Sequence, residues 1–281
     1  MFQPLIGKTV IDLTQVLAGP YATYQLALLG ADVLKIEDPN GGDWTREGKA
    51  PDGLENQHMG TAYLTQNANK KSITLNLKSR RDIEKLKKLV EDADVFVENF
   101  RPGVMDRLGF DYDTMKSINP GIIYASRNGV GQSGPYAKRR VYDAIIQAIS
   151  GVATLQSDPS KERPIMVNTL ICDKLTSLVS AQAISSALYN RSQTGLGQRI
   201  DVAMLDAALF FLWPDNMRHY AFVGDEVPPE SPHTHANMVR KTKDGYVCTM
   251  PVQPDEWSGL FRALDLHNIL EDPSYYIDEA V

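Results

Sequence analysis

The chain has 281 residues, of which 43% are hydrophobic and 23% are charged, and its formal net charge at pH 7 is −6. These values are typical of a soluble globular protein of one or two domains with a large core. The acidic balance disfavours nucleic acid as a partner, because phosphate backbones select for an excess of Lys and Arg.

Cysteine usage and hydropathy predict a cytoplasmic protein that does not enter a membrane. Cys172 and Cys248 are the only cysteines, so the sequence indicates neither a disulfide framework nor a cysteine-rich metal site. The residues from Met1 to Lys8 lack the pattern of a signal peptide, and no stretch is apolar for long enough to cross a bilayer. The histidines are not spaced like a zinc site either, so no metal is expected.

Strand-like and helix-like segments alternate through the first part of the chain. Each strand candidate is a short apolar and β-branched run, and each helix candidate carries apolar residues at helical spacing. Strands are predicted over 9–13, 33–36, 95–97, 121–125 and 199–202, and helices over 19–30, 79–93 and 173–194. This alternation predicts an α/β fold, an open, mostly parallel Rossmann-like sheet flanked by helices.

A change of composition near residue 224 predicts a domain boundary. The stretch from Gly224 to Ser231 is rich in Pro and acidic residues, as in a loop between domains. Beyond it, the turn signal Lys243-Asp244-Gly245 predicts a hairpin within 239–250, and a helix is predicted over 257–264. We therefore expect a large domain over 1–224 and part of a smaller α+β domain over 225–281.

One carboxylate, that of Asp173, lies where a loop is predicted to become an amphipathic helix. An aspartate at a helix start most often caps the helix by accepting backbone N–H bonds. A carboxylate is also a competent nucleophile in covalent catalysis. The local sequence leaves both interpretations open.

A glycine-rich segment and several cations follow predicted strands. Gly129 to Gly134 matches the GxGxxG pattern, but the basic triplet Lys138 to Arg140 follows where a dinucleotide-binding helix should begin, so a loop over a pocket is the better interpretation. Lys78, Arg101 and Arg107 also lie beside loops. Each cation alone is most simply a solvated surface charge, whereas their joint position at strand ends favours a site for a phosphorylated ligand.

Five segments of this chain occur in an order shared with one known family. They are Asp12 to Pro20, Leu29 to Glu37, Asn69 to Leu75, Glu98 to Gly103 and Thr194 to Gln198. Together they resemble the family III CoA-transferases, the group that includes carnitine CoA-transferase, formyl-CoA transferase and alpha-methylacyl-CoA racemase. The resemblance runs to about Gly245. It implies an enzyme that uses CoA thioesters as substrates and holds no permanent cofactor.

The resemblance also implies which residues perform the chemistry. Asp173 would be the nucleophile that forms an aspartyl-CoA thioester, with Tyr142 in the wall of the active site. The partners would be an acyl-CoA and a small carboxylic acid. Contacts with CoA are implied at Val16, Leu75, Lys78, Asn99, Phe100, Arg107 and Arg140. The three cations among these are expected to meet the phosphates, where charge-assisted hydrogen bonds are strongest.

Several positions depart from the family pattern and leave other functions open. The racemases have a histidine base where this chain has Tyr142, and a phenol is a poor proton shuttle near neutral pH, so a 2-methylacyl-CoA racemase ranks behind transfer. Asp38 stands where formyl-CoA transferases have an arginine, and it would repel a phosphate. Ser177 stands where a glycine is usual, and the sequence gives no account of its role.

The length of the chain is a further departure from the family. Family members are longer, and their C-terminal part returns to the large domain within an interlocked homodimer. The resemblance therefore implies a homodimer and predicts a C-terminally shortened member of the family. A non-catalytic CoA-binding fragment is the third interpretation.

Overall fold

The structure is a computed structural model that describes residues 2–50, 54, 57–157, 163–217, 220–221, 224 and 238–270. The chain divides into two compact units, Met1–Pro232 and His233–Val281. The proline-rich and acidic stretch at which the sequence placed a boundary, 225–231, lies outside the described residues.

The first unit is built on a six-stranded sheet in the order β3-β2-β1-β4-β5-β6. Every neighbouring pair in this sheet is parallel. The strands are β1 (Thr9–Asp12), β2 (Asp32–Glu37), β3 (Lys70–Thr74), β4 (Val95–Glu98), β5 (Ile123–Asn128) and β6 (Gln198–Ala203). In this doubly wound sheet β2 and β3 are added outward on one side of β1 and the last three strands on its other side, so the strand order reverses between β1 and β4. Ligands of such folds bind at this point, in the crevice outside the carboxyl ends of the strands.

Helices connect the strands and cover both faces of the sheet. They are α1 (Ala18–Leu28), α2 (Thr61–Asn67), α3 (Arg80–Glu91), α4 (Val104–Leu108), α5 (Tyr112–Ile118), α6 (Asp143–Ile149), α7 (Val152–Leu155), α8 (Ile171–Thr194) and α9 (Met204–Asn216). Val95 and Val97 pack in one core cluster with residues of α1 and α8, whereas Phe96 packs in a second cluster with residues of α3 and α5. Successive side chains of a strand point to opposite faces, so β4 is buried on both sides.

These elements confirm the predicted fold class, a mostly parallel sheet flanked by helices. Helix α8 begins at Ile171, two residues before Asp173, and Leu178 is half exposed rather than part of the core face. Strand β3 was not predicted, because it lies at the edge of the sheet and its residues are mostly polar and exposed. An edge strand needs only one hydrogen-bonding neighbour and carries a weak apolar signal.

The second unit contains the predicted hairpin and helix. Strands β7 (Val239–Lys241) and β8 (Tyr246–Cys248) pair antiparallel, and α10 (Pro254–Ala263) and α11 (His267–Leu270) follow. Helix α10 starts with a capping box between Gln253 and Glu256. Among the described helices of both units, none is long and apolar enough to cross a membrane.

Candidate active site

Charged side chains are buried at the carboxyl ends of β1 and β2. Lys70 Nζ lies 3.0 Å from Asp12 Oδ2, and Lys35 Nζ lies 3.2 Å from Asp43 Oδ2. Burial alone would raise the pKa of Asp12, but the two lysines and two threonine hydroxyls hold it below its usual range. Burial lowers the pKa of Lys70 to about 8. Buried pairs of this kind cost much to break, so they fix the loops that leave the sheet here.

The loop after β1 is held in a strained conformation by these acids and by Asn99. Val16 has a φ of 73°, which β-branched residues rarely adopt. Its N–H donates to Asp43 Oδ2 at 3.3 Å, and Asn99 exchanges two hydrogen bonds of 3.0 and 2.8 Å with the backbone of Gln15. A non-glycine residue in this region costs about 1–3 kcal/mol and persists where its surroundings impose it. The loop is therefore built to hold Val16 at the crevice.

Asp173 lies in the first turn of α8 and does not cap the helix. Leu170 occupies the cap position, and its side chain makes no capping hydrogen bond. Instead Asp143, the first residue of α6, accepts the N–H of Asp173 at 2.9 Å through Oδ1. Burial, and then the nearby charge of Asp143, raise the pKa of Asp173 to about 7. Near neutral pH this carboxyl group is therefore more basic than an ordinary aspartate and still substantially ionised.

Asp143 is itself fixed by a relay of hydrogen bonds. Its Oδ2 accepts from Gln147 Nε2 at 2.6 Å, and Gln147 in turn binds the backbone N–H of Val167 at 2.9 Å and the carbonyl of Thr169 at 3.1 Å. The relay joins α6 to the segment that enters α8. It positions the backbone of Asp173 from outside its own helix.

Ser177 also ties the start of α8 to α1. Its buried hydroxyl lies 2.7 Å from the carbonyl oxygen of Ala18 and 2.8 Å from that of Asp173, and it can donate to one of them at a time. The link joins the start of α1 to the turn that carries Asp173. A glycine at this position would lack that hydrogen bond.

One cavity, of about 220 Å³, lies beside Asp173 at the carboxyl edge of β1, β4 and β5. It brings together six of the residues for which the sequence predicted a role, namely Asp173, Tyr142, Val16, Asn99, Phe100 and Arg140. Tyr142 is largely exposed and directly precedes α6. Gly129 also lines this cavity, and a Cβ there would overlap the side chain of Val141. The glycine thus lets the segment that carries Arg140 and Tyr142 approach the end of β5.

A second cavity, of about 350 Å³, lies on the other side of the loop after β1. Leu75, Lys78 and Arg107 line it, and Phe100 lines both cavities. The structure therefore separates the three predicted phosphate contacts, with Lys78 and Arg107 in this cavity and Arg140 beside Asp173. Asp38 lines the same cavity as Lys78. Its charge opposes that of the two cations.

Three residues of the site were missed in the sequence. Asp143 is buried next to Tyr142, and Arg127 and Asn128 end β5 and line the cavity of Asp173. The polar residues that follow the apolar start of β5, from Ser126 to Asn128, were the available signal for the last two. No group of acids, histidines and cysteines suited to a metal ion occurs in the described part. His233 and His235, the two histidines that lie closest together in the sequence, are outside that part.

Comparison with known proteins assigns a family to the whole arrangement. The model of CoA-transferase family III matches residues 5–280. The chain is 34% identical to the succinate–glutarate CoA-transferase of Agrobacterium fabrum over 99% of this chain and 70% of that protein. It is 41% identical to the acetyl-CoA:oxalate CoA-transferase of Acetobacter aceti over 82% of this chain and 59% of that protein.

A solved structure shows the same architecture. The crystal structure of a CAIB/BAIF family protein from Brucella suis aligns with a TM-score of 0.82 and 34% identity, covering 100% of this chain and 74% of that one. Human succinyl-CoA:glutarate CoA-transferase is 35% identical, and the chain spans 62% of its length. The chain is thus shorter than the relatives that it matches.

Proposed function

Since the chain belongs to CoA-transferase family III, we propose that it moves CoA from an acyl-CoA donor to a small carboxylic acid, with Asp173 as the nucleophile. The observation that carries this proposal is the placement of Asp173. Its partly buried carboxyl group has a pKa raised to about 7, and it lines a cavity at the reversal of strand order. Perturbed carboxyl groups in such crevices are typical of catalytic groups.

The reaction needs only carboxylate and thiolate chemistry. An oxygen of ionised Asp173 attacks the thioester carbonyl of the donor, the C–S bond breaks, and CoA leaves as a thiolate. The thiolate then attacks the aspartyl carbonyl of the mixed anhydride, which releases the donor acid and leaves an aspartyl-CoA thioester. An acceptor carboxylate attacks this thioester, and the released thiolate takes the acceptor acyl group and restores Asp173.

The surrounding residues have distinct parts in this scheme. Asp143 holds the backbone of Asp173 and, together with burial, keeps its carboxyl group basic, which favours attack on a thioester. Lys78 and Arg107 bind phosphates of CoA in the second cavity, and Phe100 lies where the CoA chain passes from that cavity to Asp173. Arg140 and Tyr142 line the wall beside the reacting carbonyl.

The acceptor is proposed to be a short dicarboxylic acid. The relatives at 34–41% identity are named for succinate, glutarate and oxalate, which all carry two carboxyl groups. The cavity beside Asp173 also contains Arg101, Arg127, Arg139 and Arg140. Arginine is the side chain best suited to bind a carboxylate with two parallel hydrogen bonds.

Trapping the covalent intermediate tests the proposal. The protein is incubated with acetyl-CoA or succinyl-CoA and then with hydroxylamine, which should convert an aspartyl-CoA thioester at Asp173 into a hydroxamate detectable by peptide mass analysis. The matched variant Asp173→Asn retains the shape of the side chain and should give none. A protein that binds CoA but forms no adduct with either donor would contradict the proposal, and exchange of an α-proton without transfer would favour a racemase.

A further inference from the structure

Two neighbouring residues at the end of β5 present buried donors without acceptors. Arg127 is 2% exposed, and its Nε, Nη1 and Nη2 atoms have no hydrogen-bond partner in the described part of the chain. The same holds for Nδ2 of Asn128. Asn128 Oδ1 accepts the N–H of Gly131, which orients the amide so that Nδ2 remains to donate. Both residues line the cavity that contains Asp173.

The two acids whose charges act on Arg127, Asp12 and Glu98, are already engaged by other donors. Asp12 accepts from Lys70 and from the hydroxyls of Thr14 and Thr23, and Glu98 accepts the N–H of Phe100. Burial lowers the pKa of Arg127 to about 10, against the attraction of these acids, so the guanidinium remains cationic near neutral pH. A buried charge without hydrogen bonds is costly, and functional sites are where such groups are retained.

The strand register places this cation on the same side of the sheet as α1 and α8. Asp12 pairs with Lys35 and Val97, and Val97 pairs with Ala125, two residues before Arg127. Side chains two residues apart share a face, so Arg127 joins Asp12 and Lys35 there. Lys35 and Lys70 are each paired with an acid, Asp43 and Asp12 respectively, whereas Arg127 forms no ion pair in the described part of the chain.

We infer that Arg127 and Asn128 form an oxyanion subsite that binds the second carboxylate of a dicarboxylic substrate while its first carboxylate reacts at Asp173. This inference rests on the proposed function. An arginine beside an amide donor matches a planar carboxylate, which accepts several hydrogen bonds in one plane. In the proposed function, Lys78 and Arg107 bind the phosphates of CoA in the other cavity. Arg127 and Asn128 are therefore available to bind the carboxylate of the substrate.

The first experiment compares acids that differ in one carboxylate. Binding of glutarate and of butyrate to the Asp173→Asn protein saturated with CoA is measured by calorimetry, with and without the further change Arg127→Gln. Glutarate should lose about tenfold or more in affinity, because a charged hydrogen-bonding partner is removed, and butyrate should change little. Equal losses for both acids, or no loss for glutarate, would overturn the inference. A loss of CoA affinity would assign the subsite to a phosphate instead.

A second variant keeps the inference testable if Arg127→Gln does not fold. Asn128→Asp retains the acceptor for the N–H of Gly131 and replaces the unpaired donor by a negative oxygen, so it should weaken glutarate selectively. Arg81→Gln is the control, because it removes an exposed arginine of α3 that lines neither cavity and should leave the binding of both acids unchanged. These binding measurements do not depend on turnover. Glutarate binding without a trapped adduct in the wild type would refute the proposed transfer and leave the subsite standing.

Discussion

Replacing Asp143 by asparagine removes one negative charge beside Asp173 while retaining an oxygen for its N–H. Burial is the larger of the two causes that raise the pKa of Asp173 from 3.8 to about 7, and the charge of Asp143 is the second. Removing the charge should therefore lower the pKa of Asp173 by less than half of that rise. We expect the pKa to fall but to remain above that of an ordinary aspartate, because burial is unchanged.

The titration can be followed without knowledge of the natural substrate. Carboxyl carbon resonances of labelled aspartate are recorded by NMR against pH, and Asp173 is assigned by its absence in Asp173→Asn. The rate of thiol release from an acyl-CoA donor should follow the ionised fraction, so the rising limb of the pH–rate profile should move to lower pH in Asp143→Asn. The rate at its plateau should fall, because a less basic carboxylate is a weaker nucleophile.

Two controls separate charge from a general structural effect. Asp113→Asn removes one charge from an exposed position on α5 and should leave the titration of Asp173 in place. In Asp143→Asn, the new amide group and Gln147 Nε2 are both donors and no longer form a hydrogen bond. Thermal unfolding measures any loss of stability that results from this contact. A pKa that rises or does not move in Asp143→Asn would refute the assigned cause. A return of the pKa to the ordinary value of an aspartate would show that the charge of Asp143, and not burial, is the main cause.

Three further predictions concern the surroundings of the site. Burial raises the pKa of Glu98 from 4.5 to about 7, so the folded state loses stability as the pH rises through that window. Urea unfolding should therefore show Glu98→Gln to be more stable than the wild type by about 1–3 kcal/mol at about pH 8, and no more stable at about pH 4. Lys78→Ala and Arg107→Ala should each weaken CoA about tenfold in calorimetry, more at low salt than at high salt, and an effect on butyrate alone would contradict their assignment. Lys70→Met should cost about 3–5 kcal/mol because it removes the cation in direct contact with buried Asp12, and the double variant with Asp12→Asn should recover much of this loss.

The fold was predictable from local patterns in the first unit. Runs such as 95–97 are apolar at every position because β4 is buried on both faces, and 79–93 has one apolar face because α3 covers one side of the sheet. These signals depend only on neighbours in sequence. The start of α8 was misplaced by two residues for the same reason, since the N–H of Asp173 in its first turn is bound by Asp143 from α6 and the helix has no side-chain cap of its own.

The sequence by itself determined five of the six strands, helices α1, α3 and α8, and the family motifs that single out Asp173 and the residues around it. Only the tertiary structure decided that Arg140 lies apart from Lys78 and Arg107, that Asp143 raises the pKa of Asp173, and that Arg127 is buried without an acceptor. The physical reason is that a local pattern records the periodicity of one segment. Electrostatic neighbours and hydrogen-bond partners come from strand ends far apart in the chain, and the parallel sheet brings those ends together at one edge.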